Sequence, residues 1–227
     1  MKKLIFVLII IFLPQITFSQ SAFLETGENG IMTGIIYSLN KDAKSPGFFL
    51  SFSSYGIFDF GLGISKIYFE EDEGEDENLN ATSFTPYFTS HIIKPQENIP
   101  IGLAIGFSYS SENYSSDLLE EYNLEMKSNA FGIGGMLYNL FEISNEIVVI
   151  PNLGVSFFDG SFKISGIEDS ISEDFDETIF SFSLDFGVKH EHNMISLLSI
   201  GIGISEEITT YSLSIGFVGI FENQIKK

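Results

Sequence analysis

From Phe58 to Ser65 the chain reads Phe-Asp-Phe-Gly-Leu-Gly-Ile-Ser, and alternation of this kind recurs along most of its length. Ile101, Leu103, Ile105, Phe107 and Tyr109 alternate with Gly102, Ala104, Gly106, Ser108 and Ser110. Phe180, Phe182, Leu184, Phe186 and Val188 alternate with Ser181, Ser183, Asp185, Gly187 and Lys189. A period of two sends successive side chains to opposite faces of a β-strand and does not fit a helix. The two faces differ in kind: one is large and apolar, the other mainly Gly, Ser, Ala and Thr. A soluble sandwich or barrel turns its large residues inward and shows charged ones to water. Here the smaller face makes a poor water-facing surface but a good inner wall for a narrow barrel, with the apolar face turned to lipid. The apolar faces run over about nine to eleven positions, the length with which a tilted strand crosses a bilayer.

The pattern predicts strands at 29–39, 47–55, 57–69, 81–93, 99–111, 129–142, 146–160, 177–190, 194–205 and 209–221. The expected fold is all-β: a transmembrane antiparallel up-and-down barrel of about ten strands, with eight as the alternative. Connections around Tyr55–Ile57, Lys94–Asn98, Ile143–Asn145 and Glu191–Asn193 are short. The first, third, fifth and seventh are longer and the ninth is short but acidic, as periplasmic and extracellular rims require. Tyr37, Tyr68, Tyr109, Tyr138 and Tyr211 fall near strand ends, where interfacial aromatic belts form.

Charge is segregated from this pattern. The chain has 31 acidic residues against 11 cationic ones, all Lys, for a formal net charge of −20. Such a chain repels phosphate backbones, which excludes nucleic acid as a partner. Yet its mean hydropathy is positive. Most of the acidic residues sit in islands at Glu70–Glu77, Glu112–Glu125, Glu168–Glu177 and Glu206–Glu207. The absence of cysteine excludes disulfides and thiolate metal sites. At the amino end, Lys2 and Lys3 precede the apolar run Leu4–Leu13, and Thr17 and Ser19 stand at the −3 and −1 positions before Gln20. This is the pattern of a cleaved secretory signal peptide over 1–19, leaving 20–227 as one barrel domain destined for the outer membrane.

Few groups are candidates for chemistry. Asp59, His91, Asp185 and Lys189 are expected to be polar residues facing the lumen. The three histidines, His91, His190 and His192, all fall at or beside the periplasmic turns, away from the acidic loops. A protease at the extracellular rim therefore lacks its base, while a lipid-modifying site near the periplasmic leaflet would draw on Asp185, Lys189 and His91. His190 and His192 share a strand face at i and i+2, but no further metal ligands accompany them. Glu71, Asp72, Glu73, Glu75 and Asp76 surround Gly74 in an oxygen-rich loop of a kind that holds Ca²⁺ or Mg²⁺. Its spacing is not that of an EF-hand, and a solvated, self-repelling loop is the default. No phosphate-cradling glycine loop is present, and no organic cofactor is implied.

The signal peptide, the alternating Gly-rich strands over 29–221 and the final segment Tyr211–Phe221 resemble the small outer-membrane β-barrel proteins, the group that contains OmpA-like and OmpX-like barrels. Ser214, Gly216 and Phe221 fit that group's polar-x-Gly-to-aromatic ending, although Gly219 stands where an apolar residue is usual and the chain continues through Glu222–Lys227. The resemblance implies recognition of the last strand by the barrel-insertion machinery, and a monomer surrounded by outer-membrane lipid and lipopolysaccharide. It leaves three classes of function: a structural or surface-interaction protein with acidic extracellular loops, a narrow pore for small or cationic solutes, and a membrane-embedded lipid-modifying enzyme. Lys at Leu62 or Leu184 is expected to impair insertion, since Lys at mid-bilayer costs about 2–4 kcal/mol. Heat-modifiable mobility on detergent gels reads this out, and Lys at Asn78 in a loop should leave it unchanged.

Overall fold

A computed structural model of the chain describes residues 20–69, 79–96, 98–166 and 170–222. Most of them lie in ten long strands: β1 (Glu28–Leu39), β2 (Ala43–Ser54), β3 (Phe58–Phe69), β4 (Asn80–Ile93), β5 (Ile101–Ser115), β6 (Glu125–Asn139), β7 (Ile147–Ser165), β8 (Ser170–His190), β9 (Met194–Ile204) and β10 (Thr209–Glu222). Phe141–Glu142 adds a two-residue ladder against Val148 and Val149. Consecutive strands pair antiparallel, and β1 pairs with β10 from Glu28↔Glu222 to Leu39↔Tyr211, which closes the barrel. Closure is what lipid demands, because a free sheet edge in hydrocarbon leaves its amides and carbonyls without partners. Among the described residues no helix is long and apolar enough to cross a membrane. The strands do the crossing.

The faces fall as the alternation requires. Asp59 is 0% exposed between Phe58 at 39% and Phe60 at 51%. Ile101, Ile105, Phe107 and Tyr109 are likewise exposed, while Gly102, Ala104, Gly106 and Ser108 are buried. On β5 the outer face turns polar at Ser111 and Asn113, and on β8 beyond Phe180 at Thr178 and Asp176, which marks the upper limit of the apolar band. Tyr37, Tyr68, Tyr109 and Tyr211 stand outside near this limit. At that border Tyr109 donates to Asn129 Oδ1 at 2.9 Å.

Several expectations need correction. Tyr138 is not a belt residue. It is 2% exposed and points inward, because the outward parity on β6 runs through Phe131, Ile133 and Leu137. The first connection is not a long loop: β2 begins at Ala43, and Asn40 Oδ1 accepts from the amides of Asp42 and Ala43, both at 2.8 Å, in a tight turn. Two islands are only partly loops. Glu112 is an inward residue of β5, Asp117–Glu121 form a short helix α1 capped by Ser116, and Glu173–Glu177 belong to β8. The periplasmic connection at Tyr55 and Gly56 has φ of 55° and 59°, the left-handed pair of a two-residue hairpin turn. Gly56 is required there twice over, since a Cβ would collide with the carbonyl of Glu25.

Among the described residues, several of the small inner positions do not stand empty. They seat rings from neighbouring strands: Tyr87 lies over Gly61, Tyr138 over Gly102 and Phe158 over Gly132, each where a Cβ would collide. At the extracellular end Ala43, Ile67, Ala81, Tyr114, Met126, Phe162 and Ile208 form one buried cluster, so six strands and the last turn meet across the mouth. At the periplasmic end Ala22, Phe23 and Leu24 enter the barrel and join two clusters, one around Ala104, Met136 and Ile150, the other around Met32, Phe49, Ile195 and Val218. One small space between the ends is lined by Thr89, Gly106, Gly134, Gly154, Ser156 and Ser181. It has room for about one water molecule.

Candidate functional site

Asp59 reaches the lumen because it alternates with Phe58 and Phe60 at the periplasmic start of β3. There it receives the amino end of the domain. The amide of Ser21 donates to its Oδ1 and Oδ2 at 3.1 and 3.2 Å, Ser21 Oγ donates to Oδ1 at 2.6 Å, and Ser53 Oγ also donates to Oδ1. His91 Nε2 lies 3.5 Å from Asp59 Oδ2, and His91 Nδ1 is 2.6 Å from the hydroxyl of Tyr138. Lys94, in the turn after β4, donates to the carbonyls of Ser21 at 2.8 Å and Gly56 at 2.9 Å, and to that of Leu24. Burial pushes the Lys94 ammonium down to about 8, against the pull of Asp59, Glu28 and Glu25, so it remains a cation at neutral pH.

A carboxylate, an imidazole and a phenol in sequence invite a catalytic comparison, which the geometry answers. Ser21 Oγ is bonded to Asp59 rather than to the imidazole, and the side chains of Asp59 and His91 are wholly buried. A general base has to reach its substrate. This network instead grips backbone: a buried carboxylate and a buried ammonium together hold Ser21–Leu24 inside the mouth. Sequence reasoning identified Asp59 and His91 as lumen residues but missed Ser21, Lys94 and Tyr138. Only the inward parity of Tyr138 was available to find one of them.

The remaining candidates separate. Asp185 is buried in the periplasmic half of β8, opposite the middle of β9, where Asn152 Nδ2 donates to its Oδ2 at 2.7 Å and Ser199 Oγ donates to its Oδ1. Lys189 keeps the inward register but stands beyond the mouth, exposed, with its Nζ 3.4 Å from Glu142 Oε1. It is a rim residue rather than a lumen residue. His190 Nε2 is 2.7 Å from Ser196 Oγ, whereas His192 lies in the turn with φ of 70°, so the two do not share a strand face. Among the described residues no three His, Asp or Glu side chains are grouped as a metal site requires. Glu71, Asp72, Glu73, Glu75 and Asp76 lie outside the described residues.

Two carboxyls at the extracellular end are out of the ordinary. Glu112, beside the polar outer positions Ser111 and Asn113, is buried below the apolar cluster and accepts from the Tyr114 hydroxyl at 2.6 Å. Burial pushes it up to about 7, and the Tyr114 hydrogen bond pulls the other way. Glu177 is also pushed up to about 7, by burial first and then by Glu207, against a hydrogen bond from Ser205.

Two outcomes follow from these groups. Lys94→Met leaves three carbonyls without their donor, so it is expected to lower stability by about 3–5 kcal/mol and to speed amide exchange at Ser21–Leu24. For Glu112 the folded form holds its proton more tightly than the unfolded chain, whose value is near 4.5. Its favourable contribution is complete below that value and is lost as pH rises through about 7. Glu112→Gln should therefore gain about 1–3 kcal/mol at pH 8 and flatten the fall in stability on the way up, as read by urea unfolding in detergent.

No sequence-family model matches the chain, and no curated protein matches it. Solved structures do. The beta domain of the Bordetella autotransporter BrkA superposes with a TM-score of 0.53 at 9% identity, covering 86% of this chain and 99% of that one. The translocator domain of the autotransporter NalP from Neisseria meningitidis gives 0.52 at 11% identity, covering 87% and 90%. Ail, the attachment invasion locus protein of Yersinia pestis, is 13% identical over 87% and 100% of the two chains, with a TM-score of 0.45. At such identities the likeness is one of fold. With its apolar outer band and closed ten-stranded ladder, the protein has the fold of an integral outer-membrane β-barrel, as the two autotransporter domains do.

Proposed function

We propose that this barrel is a sealed membrane anchor whose working surface is its extracellular rim, a surface-interaction protein rather than a pore or an enzyme. The observation that carries this reading is the occlusion of the lumen at both ends, by the Ala43–Ile208 cluster outside and the Ser21–Leu24 segment within. Hydrated ions need a continuous polar path, and the two apolar clusters interrupt it. Against the enzyme reading, the lumen histidine His91 is buried in the periplasmic network, and His190 and His192 stand on the periplasmic rim outside the lumen. What faces the medium is polar and acidic: Asp117, Glu120 and Glu121 on α1, Glu173, Asp174 and Asp176 on β8, and Glu206 and Glu207 in the last turn. In this reading removal of residues 1–19 frees Gln20 beside the Ser21 that Asp59 grips, so export and sealing of the mouth are linked. Divalent cations held by the acidic rim, Glu71–Asp76 included, would bridge it to anionic lipopolysaccharide.

Single-channel recording tests the reading. The mature chain refolded in detergent and added to a planar bilayer should give no conductance steps above the lipid background. Steady openings that persist after Glu112→Gln, which should tighten the outer end, would sink it in favour of the pore.

A further inference from the structure

The outer end of the lumen is shut by an apolar cap with a carboxyl directly beneath it. Glu112 takes the inward parity of β5 between Ser110 and Tyr114, opposite Ser83 on β4 and Ser128 on β6. It is 6% exposed, and the Tyr114 hydroxyl, donating at 2.6 Å, is its one hydrogen-bond partner among the described residues. Above it Ile67, Tyr114, Met126, Phe162 and Ile208 belong to the cap. Below it Ser83, Thr85 and Ser110 form a ring of buried hydroxyls, 3.2 to 3.5 Å apart. On the same wall Pro86 has no amide proton, and the β4–β5 ladder skips from Phe84↔Ser111 to Tyr87↔Ser108.

A second carboxyl stands at the other side of the cap. Glu177 faces inward on β8, opposite Phe158, with its Oε2 buried and unpaired among the described residues. A hydrogen bond from Ser205 ties it to the last turn, the turn that places Ile208 in the cap and Glu207 close enough to repel it. The other charged groups around the cap compensate neither carboxyl. Lys44, Lys66 and Lys163 take the outward parity, as do Asp159, Asp174 and Asp176. Lys127 pairs with Glu125 and Lys41 with Asp42. Asp117, Glu120 and Glu121 on α1, Glu173 on β8 and Glu206 in the last turn are exposed to water.

A carboxylate sealed under apolar side chains without a cation is costly, whereas its protonated form is tolerated there. Burial pushes both carboxyls up to about 7 from an ordinary value of 4.5. The shut form therefore holds these protons more tightly than an open, water-filled one. Closure is favoured at low pH and is lost as pH rises through about 7. Between pH 6 and pH 8 the ratio of open to shut forms rises about tenfold through Glu112 alone.

We propose that the outer end of this barrel is a proton-controlled seal, shut while Glu112 and Glu177 are protonated and parted by their ionisation, so that water reaches the Ser83, Thr85 and Ser110 hydroxyls from the extracellular side. The last turn moves with Ile208 as Glu177 and Glu207 repel, and the β4–β5 wall yields where its ladder is already interrupted. The proposal rests on the lumen being occluded, yet the two fail separately. A shut outer end that ignores pH removes the switch alone, whereas an outer end open at every pH removes the occlusion too.

The chain has no cysteine and no tryptophan, so single substitutions give clean reporters. Ser110→Cys places a thiol beneath Glu112, and Ser115→Cys places one on the exposed outer face. Each variant of the full mature barrel, refolded in detergent, is alkylated with iodoacetamide, a small neutral reagent, at pH 6 and pH 8 and matched ionic strength. Dividing by the Ser115→Cys rate removes the ordinary pH dependence of thiol reactivity. The corrected Ser110→Cys rate is expected to rise about tenfold from pH 6 to pH 8, and to stay flat once E112Q and E177Q are added. Phe162→Trp, in the cap, is expected to shift its emission reversibly to longer wavelength over the same range, with both glutamates present and not without them. Heat-modifiable mobility checks that each variant is folded. An equal rise in the E112Q/E177Q background would assign the change to other groups and overturn the proposal. Slow alkylation at both pH values with unmoved Phe162→Trp emission would overturn it while leaving the lumen occluded, and fast alkylation at both would overturn the occlusion as well.

Discussion

Hydrocarbon offers no partner to a peptide amide, and the rest of this structure depends on that constraint. It forces the first and last strands together along Glu28–Leu39 and Thr209–Glu222. Once the ring is closed, each residue has one of two destinations, lipid or lumen. The parity of Asp59 between Phe58 and Phe60 thereby commits a carboxylate to the interior. Every polar feature of the lumen is a consequence of the same commitment.

An interior forced to hold carboxylates has to supply them with donors. At the periplasmic mouth the donors come from Ser21, Ser53 and His91, with the Lys94 ammonium nearby, and at Asp185 from Asn152 and Ser199. The first of these solutions recruits backbone from outside the strand order. A segment of low intrinsic structure becomes part of the core because a buried carboxylate needs its amide and a buried ammonium needs its carbonyls. Buried polar groups are costly unless paired, so the pairing also specifies where the segment lies. The inward glycines complete the picture, since the space they free is taken by aromatic rings.

Above the membrane the constraint relaxes, and the wall no longer has to be complete. Water satisfies an open edge that lipid would not tolerate, so β8 rises past β9, paired over Ser170–Ile179 with β7 alone among the described residues. Asp117, Glu120 and Glu121 on α1, Asp174 and Asp176 on β8, and Glu206 and Glu207 in the last turn stand at this height, where solvation is free, whereas barrel parity turns Glu112 inward beneath the outer cluster. That one residue links the two regimes: its position in sequence belongs to an acidic island, its position in space to a core.

Much of the fold was legible in the sequence because alternation is a local property and survives without knowledge of partners. The ten strands, the outward Phe and Ile residues, and the inward Asp59, His91 and Asp185 could all be read from neighbours two apart. Tyr138 was misplaced when its position near a strand end was weighed above its parity. Asn40–Asp42 was taken as part of a longer loop, whereas β2 begins at Ala43 and carries Pro46 where Lys44↔Tyr68 and Gly47↔Ser65 flank a gap in the ladder. The sequence by itself determined which face each residue takes, since that depends only on chain geometry. The tertiary structure alone decided which residues meet: Ser21 with Asp59, His91 with Tyr138, and Lys94 with three carbonyls. Those outcomes depend on register and strand length around a closed ring, which the period of a single strand does not contain.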